Sequence, residues 1–126
     1  NTRNIQVIVE NYGWMSNDID STPDLIKAVD RDLHTSPDTG SWADNAVRYP
    51  GLERIFPLAV TCDYKAFVLG PDQTHEDYDL RRCFTIGRDA GFRGPWCIEH
   101  WNSDWSALRR ELRFLRDCIG EWSQMD

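Results

Sequence analysis

The amino-acid sequence predicts an α/β fold in which four strand–helix units follow one another along the chain. Four short runs are rich in β-branched and aromatic residues and are bounded by turn residues, which is typical of strands. We expect these strands at 5–11, 33–38, 57–69 and 95–101. A polar loop follows each run, and most loops lead into apolar residues spaced three or four apart, the pattern of an amphipathic helix. Strands that alternate with helices in this way indicate a parallel sheet.

Capping residues predict where the helices begin and end. Ser21 or Thr22 is suited to the N-cap of the first helix, because its side chain can accept a hydrogen bond from the first turn. A later helix is expected over 78–91, where Gly91 is well placed to end it. Ser103 is expected to cap the last helix, which is the longest and has the strongest amphipathic pattern.

Four strand–helix units are compatible with two architectures, a small open parallel sheet or half of an eight-stranded (β/α)₈ barrel. No GxGxxG or Walker-type glycine-rich loop follows any of the four strands, which disfavours a nucleotide-binding open sheet. The sequence contains no linker, low-complexity tract or block of like charges. We therefore predict that residues 1–126 form a single unit.

The composition disfavours some classes of function. Acidic residues outnumber basic ones by 21 to 14, which gives a formal net charge of −7. A protein that binds a nucleic-acid backbone needs a basic face, so we expect no nucleic-acid partner. No run approaches the roughly 18 apolar residues of a membrane span, and the N-terminal residues lack a signal-peptide pattern. Because the first predicted strand starts at residue 5, we expect the chain to begin in the middle of a fold.

The cysteines indicate a reducing environment. The four of them form no CxxC pair and lie mostly in apolar surroundings, at Cys62, Cys83, Cys97 and Cys118. Their spacing disfavours a zinc site, and we interpret them as small core residues in a reduced compartment. A cytoplasmic protein is therefore expected.

Carboxylates stand at or near the end of each predicted strand. In strand order they are Glu10, Asp38, Asp63 and Glu99. The carboxyl ends of parallel strands meet at one edge of a sheet, so we expect these four side chains to converge. Converging carboxylates repel one another unless a cation lies between them. The sequence therefore predicts a divalent-metal site at this edge.

The alternation of side chains along a strand supports this interpretation for three of the four acids. Glu10, Asp63 and Glu99 each share a strand face with the less apolar residues of their strand. We expect them to point away from the helix layer. Such acids also occur as helix caps or where a strand meets water, but the agreement among three strands favours a shared site.

A resemblance to a known family accompanies these residues. The segments VIVENYGW, PDTGSW, VTCDYKAF and GFRGPWCIEHW, in this order and spacing, resemble the xylose-isomerase-like sugar isomerase/epimerase superfamily. That superfamily also includes endonuclease-IV-type enzymes and sugar-acid dehydratases. The similarity spans almost the whole chain and implies the C-terminal half of a (β/α)₈ TIM barrel, made of its last four βα units. The N-terminal half would then come from a segment absent from this sequence or from another chain.

Carried over residue by residue, the resemblance makes Glu10, Asp38 and Glu99 metal ligands, and it makes Glu10 and Glu99 the acid–base pair. The family's third-strand histidine falls on Asp63, two residues before Lys65. With Asp63 as a fourth ligand the site would be all-oxygen, which suits Mg²⁺ or Mn²⁺ better than Zn²⁺. Alternatively, Asp63 is too short to reach the metal and water takes its position.

Lys65 and several aromatic residues complete the predicted site. Lys65 shares its strand face with Asp63, and burial of its ammonium would require a partner, either Asp63 or a substrate oxygen. Aromatic rings in loops after strands often wall a sugar pocket, and we predict this role for Trp14, Trp42 and Trp101. Packing beneath the loops is the alternative for each of these rings. Ordinary structural or solvent-facing roles are expected for His34, His75 and His100.

These features predict a metal-dependent isomerase or epimerase that acts on a keto sugar or related polyol. One of Glu10 and Glu99 would remove the proton beside the carbonyl, the other would return one, and Lys65 would bind or polarise a substrate oxygen. A dehydratase or other lyase begins with the same step and is the runner-up, and a non-catalytic sugar-binding barrel is a third hypothesis. The expected partners are a small sugar or polyol and the missing half-barrel, with no membrane contact; a homo-oligomer is also compatible with the sequence.

Overall fold

The computed structural model describes residues 5–29, 32–67, 69–101 and 103–124. Strands and helices alternate along these ranges, and two 3-10 helices lie between them. In chain order the elements are β1 (Val7–Glu10), a 3-10 helix (Gly13–Asn17), α1 (Ser21–Val29), β2 (Leu33–Ser36), α2 (Asn45–Ile55), a second 3-10 helix (Phe56–Leu58), β3 (Cys62–Lys65), α3 (Leu80–Asp89), β4 (Trp96–Glu99) and α4 (Trp105–Trp122). No helix in the described ranges is both long enough and apolar enough to cross a membrane.

The strands pair in parallel as two separate two-stranded sheets within the described part of the chain. β1 lies beside β2, with Glu10 opposite Ser36. β3 lies beside β4, with Lys65 opposite Glu99. The two sheets are connected by isolated parallel bridges at Thr35–Ala59 and at Asp38–Asp63.

The predicted half of a (β/α)₈ barrel is wrong. Among the described residues the structure has four α-helices and two small parallel sheets, without a continuous four-stranded wall. β2 ends before Pro37, which has no N–H to donate to a neighbouring strand. The strand expected over 57–69 overlaps a 3-10 helix at Phe56–Leu58 and is reduced to Cys62–Lys65, with position 68 outside the described residues. Between the two sheets the described residues form only isolated bridges, so the four strands do not make one continuous sheet, although the mixture of α and β elements agrees with the sequence.

The helix boundaries depend on capping side chains and on one glycine. Gly91 has a φ of +79° and follows the end of α3, as the sequence predicts. The residue that caps α4 is Asp104 and not Ser103, because the Asp104 carboxylate accepts hydrogen bonds from the backbone N–H groups of Ser106 and Ala107. A carboxylate at this position also interacts favourably with the positive end of the helix dipole.

The hydrophobic core lies on one side of β3. Cys62 and Tyr64 are fully buried in it, whereas the alternate residues Asp63 and Lys65 are only partly buried and belong to the other face of the strand. The core also contains Leu52, Ile55, Phe56, Cys83 and Phe84. One face of β3 therefore stabilises the fold and leaves the other available for polar side chains.

β1 is much less covered than β3. Val7 is 57% exposed and Ile8 is 46% exposed. In the described ranges no strand pairs with the edge of β1 that faces away from β2. Asn11, which follows this strand, is nevertheless completely buried.

Candidate functional site

Three carboxylates meet at the carboxyl ends of the strands. Glu10 is the last residue of β1, Glu99 is the last residue of β4, and Asp38 lies two residues beyond β2. One oxygen atom from each of the three lies within 4.8 Å of those from the other two. These acids come together although β1 and β4 belong to different sheets.

The Asp38 carboxylate is completely buried and fully hydrogen-bonded. Its Oδ1 accepts from the backbone N–H groups of Gly40 (2.6 Å) and Ser41 (3.1 Å). Its Oδ2 accepts from the Ser41 hydroxyl (2.5 Å) and from the Lys65 ammonium (2.5 Å). The segment PDTGSW is therefore a loop folded around its own carboxylate, a turn that aspartate favours. These four hydrogen bonds compensate the buried carboxylate for the loss of contact with water.

Asn11 connects this loop to the end of β1 through hydrogen bonds. Its Nδ2 donates to the backbone carbonyls of Asp38 (3.1 Å) and Ser41 (3.3 Å), and its Oδ1 accepts from the Asp38 N–H (2.8 Å). Because Asn11 follows Glu10 directly, these bonds also position Glu10 relative to Asp38. Sequence reasoning missed Asn11, since an asparagine after a strand is equally typical of an ordinary turn.

Lys65 brings an ammonium group between two of the carboxylates. Its Nζ lies 2.5 Å from Asp38 Oδ2, 3.0 Å from Glu99 Oε2 and 2.9 Å from the Ser41 hydroxyl. Only 12% of the Lys65 side chain is exposed. Its partners are therefore Asp38 and Glu99 and not Asp63, the protein partner that the sequence suggested. Burial lowers the pKa of Lys65, but the hydrogen bonds and charges of Asp38 and Glu99 outweigh this effect and leave the pKa raised.

Gly40 leaves room for Lys65 to reach the carboxylates. A Cβ at position 40 would lie 2.8 Å from Lys65 Cγ and 2.8 Å from the Tyr78 hydroxyl, closer than side chains approach one another. The Tyr78 hydroxyl donates to the backbone carbonyl of Lys65 and so holds this part of β3 in place. The glycine in PDTGSW is therefore required by close packing.

Without a bound cation, Glu10 has a raised pKa. Partial burial, together with the nearby carboxylates of Asp38, Asp63 and Glu99, raises the pKa of Glu10 to about 7. A carboxyl group with this pKa is close to half protonated at neutral pH, so it can both accept and return a proton.

Asp63 lies outside the group of three among the described residues. Its Oδ2 accepts a hydrogen bond from the Ser36 hydroxyl (2.6 Å). Its negative charge still reaches the site, since it contributes to the raised pKa of Glu10. Ser36 therefore holds Asp63 where it acts on Glu10 through space, and a role for Asp63 as a fourth metal ligand stays a prediction.

A cavity of about 560 Å³ opens beside the carboxylates. Its polar wall is formed by Glu10, Ser41, Lys65 and Glu99. Its aromatic wall is formed by Tyr12, Phe67 and Trp101. Sequence reasoning missed Tyr12 and Phe67. Their position two residues after Glu10 and Lys65, respectively, was the feature of the sequence that could have indicated them. A cavity of this size, with aromatic rings and a few polar groups, is typical of a small-molecule site.

The three tryptophans predicted to contact a sugar have different surroundings. Trp101 is 78% exposed and lines the cavity. Trp14 is also exposed, in the 3-10 helix that follows β1. Trp42 is buried, and its Nε1 donates to the backbone carbonyl of Asp38 (2.9 Å). Trp42 therefore supports the loop that carries Asp38, and Trp101 is the ring best placed to contact a ligand.

His100 forms a buried pair with a residue of α4. Its Nδ1 lies 2.9 Å from Glu111 Oε2, and the Glu111 side chain is completely buried. The pair fixes the residue after Glu99 against the helix, which is a structural role.

The chemistry of the donor set fits a hard divalent cation. The three converging groups all offer carboxylate oxygens, which Mg²⁺ and Mn²⁺ prefer. Two of these groups, Asp38 and Glu99, are already paired with Lys65. A divalent cation held by these three groups would take the place of the Lys65 ammonium beside Asp38 and Glu99.

In comparisons of the chain with known proteins, no family model and no curated protein matches it.

Proposed function

We propose that this protein is a metal-dependent isomerase or epimerase that removes a proton beside the carbonyl group of a sugar or polyol derivative. The observation that carries the proposal is that Glu10, Lys65 and Glu99 line one cavity, beside which the carboxylate oxygens of Glu10, Asp38 and Glu99 lie within 4.8 Å of one another. Proton transfer beside a carbonyl needs a base, an acid that returns the proton, and positive charge near the carbonyl oxygen. These groups surround one cavity of about 560 Å³.

Glu10 is the proposed base, because its carboxylate lines the cavity beside Lys65 and Glu99. Glu99 is the proposed acid that returns the proton. The two residues end strands of different sheets, and both line the cavity. In an epimerase the proton returns to the opposite side of the same carbon, and in an isomerase it returns to the neighbouring carbon.

Positive charge at the carbonyl oxygen has two proposed sources. A divalent cation held by Glu10, Asp38 and Glu99 would stabilise the negative charge that develops on this oxygen. Lys65, which lines the cavity, would donate a hydrogen bond to a substrate oxygen. Backbone hydrogen bonds from Gly40 and Ser41 orient the Asp38 carboxylate.

The cavity wall supports a carbohydrate as the substrate. The aromatic rings of Tyr12, Phe67 and Trp101 offer apolar faces, and the carboxylates, Ser41 and Lys65 offer hydrogen-bonding groups. A sugar presents both kinds of surface, its C–H groups and its hydroxyls. We place this function in the cytoplasm, where the four free thiols would remain reduced.

A metal-free sugar-binding role is the second candidate, and one observation favours it. Lys65 already neutralises Asp38 and Glu99, so the acidic groups are compensated without a metal. A binding protein of this kind would use the same aromatic wall and would need no proton transfer by Glu10. Sugar binding that is unaffected by a chelator, without turnover, would favour this role.

The test of the proposed function is hydrogen exchange between substrate and solvent. Incubated with Mn²⁺ and a panel of aldoses and ketoses in D₂O, the protein is expected to introduce deuterium beside the carbonyl of its substrate. Glu10→Gln and Glu99→Gln should each reduce this exchange about 10²–10⁴-fold, the usual contribution of general acid–base catalysis. NMR or mass spectrometry of the sugar measures the exchange.

Glu53→Gln is the matched control, because Glu53 lies exposed on α2. It should leave the exchange rate unchanged. Undiminished exchange in both active-site variants, or turnover that leaves the carbon beside the carbonyl unlabelled, would contradict the proposed mechanism.

A further inference from the structure

Lys65 and a divalent cation would use the same carboxylates. The Lys65 Nζ lies 2.5 Å from Asp38 Oδ2 and 3.0 Å from Glu99 Oε2. Asp38 and Glu99 are also two of the three carboxylates whose oxygens lie within 4.8 Å of one another. Two cations at such short separation repel strongly where little water screens them. A metal bound to these carboxylates would therefore compete with Lys65 for them.

The hydrogen bonds of Asp38 indicate which donor gives way. Its Oδ1 is held by two backbone N–H groups of the loop, at 2.6 Å and 3.1 Å. Its Oδ2 is held by the Ser41 hydroxyl and by Lys65, each at 2.5 Å. The backbone donors cannot leave without unfolding the loop, whereas the ammonium ends a side chain with four rotatable bonds and lines the cavity. Lys65 is therefore the charged donor whose side chain can rotate away from Asp38.

We propose that Lys65 is an exchangeable counter-ion: it neutralises Asp38 and Glu99 when no metal is bound, and metal binding releases its ammonium to bind a substrate oxygen in the cavity. This inference rests on the metal-dependent function proposed above and adds an order of binding, metal before substrate. Until the metal arrives, the Lys65 ammonium is engaged by Asp38, Glu99 and Ser41. Metal and substrate should consequently strengthen each other's binding, by the same factor in each direction.

The first measurement is Mn²⁺ affinity by isothermal titration calorimetry, with no substrate present. Lys65→Met keeps most of the aliphatic stem and removes the competing charge, so it should bind Mn²⁺ at least about tenfold more tightly than the unmodified protein. Lys27→Met is the matched control, because it removes the same charge from an exposed position on α1. It should leave the affinity within about twofold, as expected for a screened surface charge. Equal or weaker Mn²⁺ binding by Lys65→Met would overturn the exchange.

The second measurement uses the unmodified chain and stays informative if Lys65→Met does not fold. Lys27 and Lys65 are the only lysines in the sequence, so protein labelled with ¹³C at the lysine Cε gives two NMR signals. Addition of diamagnetic Mg²⁺ should shift the Lys65 signal and leave that of Lys27 in place. A Lys65 signal that does not move while Mg²⁺ binds would overturn the exchange.

Neither measurement involves turnover, so the two proposals fail separately. Tighter Mn²⁺ binding by Lys65→Met without deuterium exchange in any sugar would support the counter-ion role and contradict the isomerase. Deuterium exchange that requires Mn²⁺, together with an unaltered Lys65 signal, would support the isomerase and overturn the counter-ion role.

Discussion

The two sheets of the molecule have strands of the same length but very different burial. In β3, Cys62 and Tyr64 are inaccessible to solvent, whereas in β1 both Val7 and Ile8 are exposed. The difference follows from what covers each sheet: the apolar residues of α2 and α3 form the core with β3, while Leu25 of α1 remains exposed. Apolar burial therefore stabilises the sheet of β3 and β4 far more than the sheet of β1 and β2.

The candidate site contains residues of both sheets. A different kind of interaction positions the residues of each sheet. Lys65 and Glu99 belong to the well-covered sheet, and apolar packing on the opposite face of β3 positions them. Glu10 belongs to the exposed strand, so its position depends on the hydrogen bonds of Asn11 to the Asp38 loop. The base of the proposed reaction is therefore held largely by hydrogen bonds, including those that pair β1 with β2.

The largest expected contrast comes from two isoleucines. Ile55 in α2 is fully buried, whereas Ile8 in β1 is 46% exposed. Ile55→Ala is expected to lower the free energy of unfolding by about 2–5 kcal/mol, the range for large-to-small core substitutions. Ile8→Ala should lower it by less than about 1 kcal/mol. Urea denaturation measures both values, and equal losses would contradict the stronger apolar packing against β3 than against β1.

A smaller loss of stability is expected when Asn11 is replaced, because this substitution removes the hydrogen bonds that link β1 to the Asp38 loop. Asn11→Ala leaves the buried N–H of Asp38 without its acceptor, which should lower the free energy of unfolding by about 1–3 kcal/mol. The affinity for Mn²⁺ should fall as well, because Glu10 loses its link to Asp38. Calorimetry and denaturation measure the two effects, with Asn17→Ala, at an exposed position, as the control. Unchanged Mn²⁺ affinity in Asn11→Ala would contradict the proposed link.

The smallest effect concerns the pH dependence of stability. Folding raises the pKa of Glu10 to about 7 from an ordinary value of 4.5, so the folded protein binds this proton more tightly than the unfolded chain. Its contribution to stability is therefore greatest below pH 4.5 and is lost as the pH rises towards 7. Solvent screens this partly exposed side chain, so the loss in the free energy of unfolding is limited to about 1 kcal/mol.

Glu10→Gln isolates this contribution, because the amide does not titrate. The stability of the variant relative to the unmodified protein should increase between about pH 5 and about pH 8, as Glu10 loses its proton in the unmodified protein. Urea denaturation across this range, without metal, measures the difference. A constant difference would show that Glu10 does not titrate with the raised pKa.

The convergence of three carboxylates was easier to predict from the sequence than the contacts that hold them. Glu10, Asp38 and Glu99 were predictable because the ends of parallel strands converge. The strand face on which Lys65 lies was predictable from the alternation of side chains along β3. Its ion-pair partner was not predictable. Residues two apart on one strand are separated by about 6.6 Å, whereas neighbouring strands lie about 4.8 Å apart, so Lys65 pairs with Glu99 across the sheet and not with Asp63 along it.

By itself the sequence determined the alternation of strands and helices and the polar face of β3, because both follow from local periodicity. Only the tertiary structure decided how the strands join. The interruptions at Pro37 and at Phe56–Leu58 shorten β2 and β3, and the half-barrel expected from the sequence is replaced by two small sheets connected by bridges. The tertiary structure likewise decided that Lys65 neutralises Asp38, 27 residues away in the chain. Contacts between residues so far apart leave no periodic pattern, since each partner is locally indistinguishable from an ordinary charged residue.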